Sequence, residues 1–264
     1  MKNVILKKLD YNHNLLPMVK QLVVQSLWIE PLIGDLQLLC LTSFIQKGVK
    51  VHLYTYTNIL NLPDGVDVFD ANEIVDRSCI FRDVVNSYAT FSDWFRIKLL
   101  HEKGGWWVDC DVFCVRPFDV DVPYVFATEV FDYYGEKNLR ICNAVIKMPK
   151  GSRLGELVLL DILERLERDV PEEIPWTEIG AKILDSHIAS LGLTAYIVSS
   201  EVFCPIDYEN YKELSEKDGM VFTEWTYGVH LWNKMWEWNN HVQPLKHSKE
   251  NSFLGKMMDV NNRS

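Results

Sequence analysis

A chain of 264 residues is long enough for one large α/β domain or two small ones, with a core that can be well buried. Its composition, 48% hydrophobic and 24% charged, excludes a collagen, a coiled coil or wholesale disorder. The formal charge of −10 argues against general attraction to nucleic-acid phosphates or anionic lipid, although an acidic protein can still take a polyanion through a divalent cation.

The N-terminal run from Met1 to Lys8 is too short and too charged for a secretory signal. No stretch reaches the roughly 20 apolar residues that cross a bilayer. The six cysteines (Cys40, Cys79, Cys110, Cys114, Cys142, Cys204) form no C-x-x-C pair and read as reduced, mostly buried thiols of a cytoplasmic protein. Cys110 and Cys114 lack the second Cys/His pair that a structural zinc site needs.

Leu22 to Ile29 reads as a buried strand, followed by a helix that Asp35 caps and whose apolar residues Leu36, Leu39, Cys40 and Phe44 recur at helical spacing. Gly48 ends that helix. Val49 to Tyr56 and Val66 to Phe69 are the next strands, and Asp70 to Glu73 looks like a helix start. Ser87 to Lys103 is a helix with Phe91, Trp94, Phe95, Leu99 and Leu100 on its buried face, stopped by Gly104-Gly105. Trp106 to Val112, Tyr124 to Ala127 and Ile141 to Lys147 are strands, Gly155 to Arg168 an amphipathic helix, Trp176 to Leu191 a further helix and Tyr196 to Ser199 extended. The last forty residues, rich in Trp, His and Asn, fit no simple period. The β-α-β-α opening predicts an α/β fold with a mainly parallel central sheet flanked by helices, and such sheets bind ligands at the carboxyl ends of their strands.

Chemistry concentrates in Trp106-Trp107-Val108-Asp109-Cys110-Asp111. On a strand, Asp109 and Asp111 project to one side and Cys110 to the other. Two adjacent carboxylates repel and are neutralised by a proton or a divalent cation, and oxygen ligands suit Mg²⁺ or Mn²⁺. By spacing alone, two polar residues at a strand exit are the commoner explanation. Asp93 and Arg96 lie three apart on one helical face and can pair, although Asp93 near a helix start can also act as a cap. Asn143 sits in an apolar strand and needs a hydrogen-bond partner. Tyr54 and Tyr56 share one side of the second strand, either to stack on a base or to pack in the core. His230 lies in a Trp-rich stretch with Asn233 and Trp236, where a structural histidine is the default.

The contiguous run Ser92-Asp93-Trp94-Phe95-Arg96, then Gly104-Gly105-Trp106-Trp107-Val108-Asp109-Cys110-Asp111, resembles the sugar-binding Asp-x-Asp (DXD) region of family 32 glycosyltransferases. Leu27 to Leu32 with Leu38 to Phe44, Val51 to Tyr56, and Gly228 to Trp236 resemble the family's first strand and helix, second strand and late His-Trp block, so the likeness covers roughly residues 20 to 240. Two departures stand out: Glu178-Ile179-Gly180-Ala181 replaces the usual Thr-Gly-Pro turn, and Gln25-Ser26-Leu27-Trp28 replaces an Ile-His-x-x-Trp lead.

The resemblance implies a GT-A fold forming one catalytic domain over residues 1–264, with a donor half at about 20–120 and an acceptor half at 121–264. It implies a metal-dependent, retaining hexosyltransferase of polysaccharide biosynthesis that uses a nucleotide-sugar donor, a UDP-sugar before a GDP-sugar, and a glycan or glycolipid acceptor. Asp109, Asp111 and His230 would hold Mn²⁺ or Mg²⁺. Asp93, Arg96 and Asn143 would serve the transfer. Trp28, Tyr54, Tyr56, Asn233 and Trp236 would join Asp93, Asp109, Asp111 and His230 around the donor. Contact with nucleic acid is not expected, and contact with a membrane would be peripheral. The competing classes are a glycoside hydrolase with two carboxylates and a non-catalytic carbohydrate-binding protein.

Overall fold

Six strands form the central sheet in the order β3-β2-β1-β4-β7-β6 of a computed structural model that describes residues 21–175, 178–240 and 244–261. β1 (Val23–Trp28), α1 (Asp35–Gln46), β2 (Lys50–Thr55) and β3 (Val66–Asp70) make the β-α-β opening, with β1 parallel to β2 and β2 to β3. α2 (Ala89–Lys103) then returns the chain to β4 (Gly105–Val108), which runs parallel to β1. Beyond β4 the sheet turns antiparallel. β5 (Val112–Cys114) leaves it, and β6 (Val125–Tyr133) and β7 (Glu136–Met148) form a hairpin whose return strand pairs with β4.

The remaining elements are α3 (Arg153–Arg168), α4 (Ala181–Ser190), α5 (Glu213–Glu216), β8 (Gly228–His230), α6 (Asn233–Trp238) and α7 (Phe253–Asn261). β8 pairs antiparallel with β5 in a separate two-stranded sheet, Val112 facing His230. Among the described residues no helix is long and apolar enough to cross a membrane.

Both faces of the sheet are covered, as a parallel sheet requires. Trp106 belongs to a core shared with Leu36, Phe44, Phe118, Phe203 and Trp236, whereas Trp107, its neighbour on the strand, belongs to a second core with Phe91, Phe95, Leu154 and Ile188. Alternation along β4 therefore sends adjacent tryptophans into opposite layers. Polar groups buried in β1 are satisfied: Ser26 Oγ donates to Val108 O at 2.7 Å and Gln25 Nε2 to Gly104 O at 2.9 Å. Gly104 has φ 71°, and a Cβ there would stand 2.5 Å from the Lys150 amide nitrogen, so the stop between α2 and β4 needs glycine twice over.

Several sequence expectations are corrected. Gly34, not Asp35, caps α1, and Asp35 is the first helical residue, where its charge favours the helix dipole without a capping bond. Asp70 to Glu73 is a single 3₁₀ turn capped by Asp70. α2 begins at Ala89, because the buried Asp83 carboxylate takes hydrogen bonds from Ser87 N and Thr90 Oγ1 at 2.9 Å each and fixes the entry. The expected strand Trp106 to Val112 is broken, since the chain turns at 109–111 and passes to the other sheet, with Val112 N bonding back to Asp109 O. The hairpin is much longer than its apolar parts suggested. Tyr134 (φ 54°) and Gly135 (φ 84°) turn it as a two-residue loop with both residues left-handed. Within the segment 194–199, Thr194–Tyr196 is a 3₁₀ turn and only the residues after it are extended. The expected helix of 176–191 is helical from Ala181, its first two residues lying outside the described ones, as does the N-terminal run Met1 to Lys8.

Candidate active site

A cleft of about 720 Å³ opens at the carboxyl ends of β1 and β4. Trp28, Asp93, Arg96, Asp109, Asp111, Asn143, His230 and Asn233 all line it. Two linked networks organise its floor.

The first centres on Arg96, whose side chain is 4% exposed. Its Nη2 lies 3.3 Å from Asp93 Oδ1 and 3.2 Å from Asp109 Oδ1, while Nη1 donates to Asn143 O at 2.5 Å and Nε to Ser92 O at 3.2 Å. One guanidinium thus ties α2 to the end of β4 and to the middle of β7. Asn143 closes the ring, its Nδ2 donating to Asp93 Oδ1 at 2.7 Å. Asp93 is in the interior of α2 and not at its start, so capping is excluded as its role. Burial raises its carboxyl to a pKa of about 6, against the pull of Arg96 and the Asn143 hydrogen bond, with the Asp109 charge adding to the rise.

The second network surrounds Asp111. His230 Nε2 lies 3.4 Å from its Oδ1, and the Asn233 amide donates to its Oδ2 at 2.9 Å. Burial alone would raise this carboxyl, but the His230 imidazole and these hydrogen bonds outweigh it and hold Asp111 below the usual carboxylate range. Burial likewise opposes charge on His230, yet Asp111 wins and its pKa stands well above the ordinary value. Asp109 differs again. Desolvation pushes it up against Arg96, and the Trp107 indole N–H holds its Oδ1 at 2.7 Å. The turn at 109–111 brings ligand atoms of Asp109, Asp111 and His230 within 4.8 Å of one another, while Cys110 turns inward toward Leu27 O. Convergence expected from strand alternation is produced by a turn instead. It is completed by β5–β8 pairing, which carries His230 in from far along the chain.

Three expected residues lie away from the cleft. Tyr54 stacks on Phe69 (5.3 Å between centroids) and Tyr56 donates its hydroxyl to Val75 O at 2.8 Å, so both are buried in the core and neither lines the cleft. Trp236 is buried edge-on against Tyr211, with its indole N–H on Leu231 O at 2.7 Å. Asn233 presents its backbone amide to the site, its side chain being bonded to Glu237. Trp28 stands at the rim, donating to Leu32 O.

Other contributors are not assigned to the site by sequence reasoning. Gly180, in the turn before α4, packs so closely that a Cβ would stand 2.2 Å from Asp93 Oδ2 and 2.6 Å from Asn143 Nδ2. The departure from a Thr-Gly-Pro turn thus keeps the one residue the site requires. Glu129 and Arg140, paired at 2.5 Å across the hairpin, line another wall. Cys142 and Cys204 lie behind His230. Trp232, in the left-handed region at φ 56°, aims its ring at His230, 3.9 Å between centroids. Trp232 and Gly180 lie in segments that the family resemblance covers, but only the fold brings these residues together at the cleft.

The class defined by fold and site is an α/β protein with a cleft at its strand ends where Asp109, Asp111 and His230 converge. Within it, residues 72–157, which include Asp93, Arg96, Asp109, Asp111 and Asn143, match the family described as capsular polysaccharide synthesis protein. No curated protein matches the chain. Among solved structures it is similar to a PaToxG glycosyltransferase, at 15% identity over 66% of this chain and 70% of that one, with a TM-score of 0.47. It is also similar to a structure described as that of a transferase mutant with two cysteines replaced by serine, at 10% identity over 67% and 90% of the two chains, with a TM-score of 0.41.

Proposed function

We propose that the protein is a metal-dependent glycosyltransferase of polysaccharide synthesis, moving a sugar from a nucleotide-diphosphate donor to a hydroxyl of a glycan or glycolipid precursor. The observation that carries the reading is the convergence of Asp109, Asp111 and His230 at the strand-end cleft, next to the Asp93–Arg96–Asn143 ring. The match of residues 72–157 to capsular polysaccharide synthesis proteins supports it. On this reading the fold is GT-A and 1–264 acts as one catalytic domain in the cytoplasm. The donor is a UDP-sugar in preference to a GDP-sugar, and the anomeric configuration is retained.

Two hard carboxylate oxygens and an imidazole nitrogen suit Mn²⁺ or Mg²⁺. Bound there, such an ion would neutralise the diphosphate and stabilise the charge it gains on leaving. The chain's own residues do the rest by positioning and electrostatics. Arg96 fixes Asp109 and Asp93 against their mutual repulsion. Asp93, ionised above about pH 6, accepts hydrogen bonds from donor hydroxyls, with Asn143 setting its orientation. Asn233 N–H and His230 hold Asp111 charged. Trp28 at the rim offers an apolar face to the donor, and the wall formed by Glu129 and Arg140 faces the acceptor side. A hydrolase would place its carboxyl groups on either side of the sugar, at least about 5 Å apart. Here both aspartates offer oxygens to one point with His230.

The test is release of free nucleoside diphosphate from a panel of nucleotide sugars with Mn²⁺. Turnover of one donor, lost on EDTA treatment and in Asp109→Ala and Asp111→Ala, is the expected result. Turnover indifferent to EDTA, or no turnover of any donor, refutes the reading.

A further inference from the structure

His230 serves two neighbourhoods through its two ring nitrogens. Nε2 faces Asp111, at 3.4 Å, and Nδ1 faces the thiol of Cys142, at 4.0 Å. Cys204 completes the second neighbourhood: the Sγ atoms of Cys142 and Cys204 and a nitrogen of His230 lie within 4.8 Å of one another, and both cysteines are buried and free of disulfides. The ligand atoms of a tetrahedral zinc site, with bonds of about 2.3 Å to sulfur and about 2.0 Å to nitrogen, stand roughly 3.5–3.8 Å apart, so a modest contraction closes this set. Soft thiolates beside imidazole select zinc over manganese or magnesium, the reverse of the preference of Asp109 and Asp111.

We propose that Cys142, Cys204 and His230 form a second metal site, specific for Zn²⁺, that shares its histidine with the carboxylate pair. Zinc displaces the two thiol protons, and the cation with two thiolates and a neutral imidazole carries no net charge, which suits a buried position. Cys142 lines the cleft, which provides the entry path and leaves the fourth coordination position to water. With zinc on Nδ1, the Nε2 proton is donated to Asp111, the carboxylate–histidine–zinc arrangement common in zinc proteins. Nε2 then has no lone pair to give. Zinc in the soft site therefore withdraws His230 from the hard one and acts as an antagonist of the manganese-supported reaction. The ligand set stands by itself; only the antagonism rests on the proposed role of Asp109, Asp111 and His230.

Co²⁺ reports on this site, because thiolate ligation gives it an intense near-ultraviolet charge-transfer band that carboxylate ligation does not. Titration of reduced, metal-free protein is expected to give that band at one equivalent, erased by one equivalent of Zn²⁺. Asp109→Asn should retain it and Cys204→Ser should lose it. With one equivalent of Zn²⁺ bound and the thiolate band saturated, the Mn²⁺ affinity of wild type, read from the free-ion magnetic resonance signal, should fall as far as it does in His230→Ala. If Cys204→Ser does not fold, X-ray absorption at the zinc edge of the wild-type protein decides, with two sulfur neighbours expected. No thiolate band, an undiminished band in Cys204→Ser, or zinc surrounded only by nitrogen and oxygen overturns the proposal. A thiolate band in a protein that turns over no donor leaves the zinc site standing and removes the transferase reading. The opposite pair of results does the reverse.

Discussion

Arg96→Met would replace the cation at the middle of the site with an apolar side chain of similar length. Arg96 faces two carboxylates at 3.2 and 3.3 Å, and at an effective dielectric constant near 20 each such contact has a Coulomb energy of about 5 kcal/mol. Relief of the guanidinium's own desolvation offsets much of that sum. Removing one member of a buried charge network typically leaves a loss of about 3–5 kcal/mol. Screening weakens the contact with Asp109, which is 25% exposed, more than the contact with Asp93, since Arg96 and Asp93 are 4% and 7% exposed.

The loss should depend on pH in a fixed direction. Asp93 already has a folded pKa of about 6, above its unfolded value, so in the wild type its contribution to stability falls as pH rises toward 6 and is level beyond it. Without Arg96 the folded pKa values of Asp93 and Asp109 rise further. The variant therefore continues to lose stability above pH 6, by about 1.4 kcal/mol per pH unit and per group until each ionises. Urea unfolding at pH 5.5 and pH 8 should show a gap between variant and wild type that widens at the higher pH. A gap below about 1 kcal/mol at pH 8, or one equal at the two pH values, would refute the claim that Arg96 compensates the buried Asp93 and the half-buried Asp109.

Gly180→Ala places a methyl group where Asp93 Oδ2 now sits; a stability loss of about 1–3 kcal/mol is expected, with weakened nucleotide-sugar binding and unchanged Mn²⁺ affinity by titration calorimetry. Asp109→Asn and Asp111→Asn should each weaken Mn²⁺ binding at least about tenfold in the same assay, since a metal-ligand charge is lost. Tyr56→Phe deletes a buried hydrogen bond to Val75 O and should cost about 1 kcal/mol in urea unfolding, while donor affinity stays at the wild-type value; weaker donor binding would return Tyr56 to the site.

Sequence pattern made the sheet's parallel half legible, because β1, α1, β2, β3 and α2 each carry their own period and their own stop. The Asp93–Arg96 pair was also legible, being three residues apart on one helix. Asp111 and His230 were named for reasons that geometry replaced. Their meeting depends on a turn at 109–111 and on the β5–β8 pairing, neither of which local propensity encodes. Tyr54, Tyr56 and Trp236 show the opposite failure, since an aromatic ring at a strand or helix end has the same sequence signature whether it faces ligand or core. In sequence Gly180 reads only as part of a departure from a Thr-Gly-Pro turn, because a requirement for no side chain shows only when the neighbour is in place.

The pairing of β5 with β8 makes Asp111 and His230 neighbours through a contact between residues 112 and 230. A polypeptide still emerging from the ribosome can complete the parallel sheet, α2 and the turn at 109–111 long before residue 230 is synthesised, and it will then hold two aspartates without their histidine. His230 reaches the cleft only with the late segment, so under the proposed function a chain cut short, or nicked and stripped of its final strand, would keep most of its core and lack a competent centre. On the proposed reading, competence for transfer would be coupled to completion of the fold, and a half-made chain would have no means of spending a nucleotide sugar.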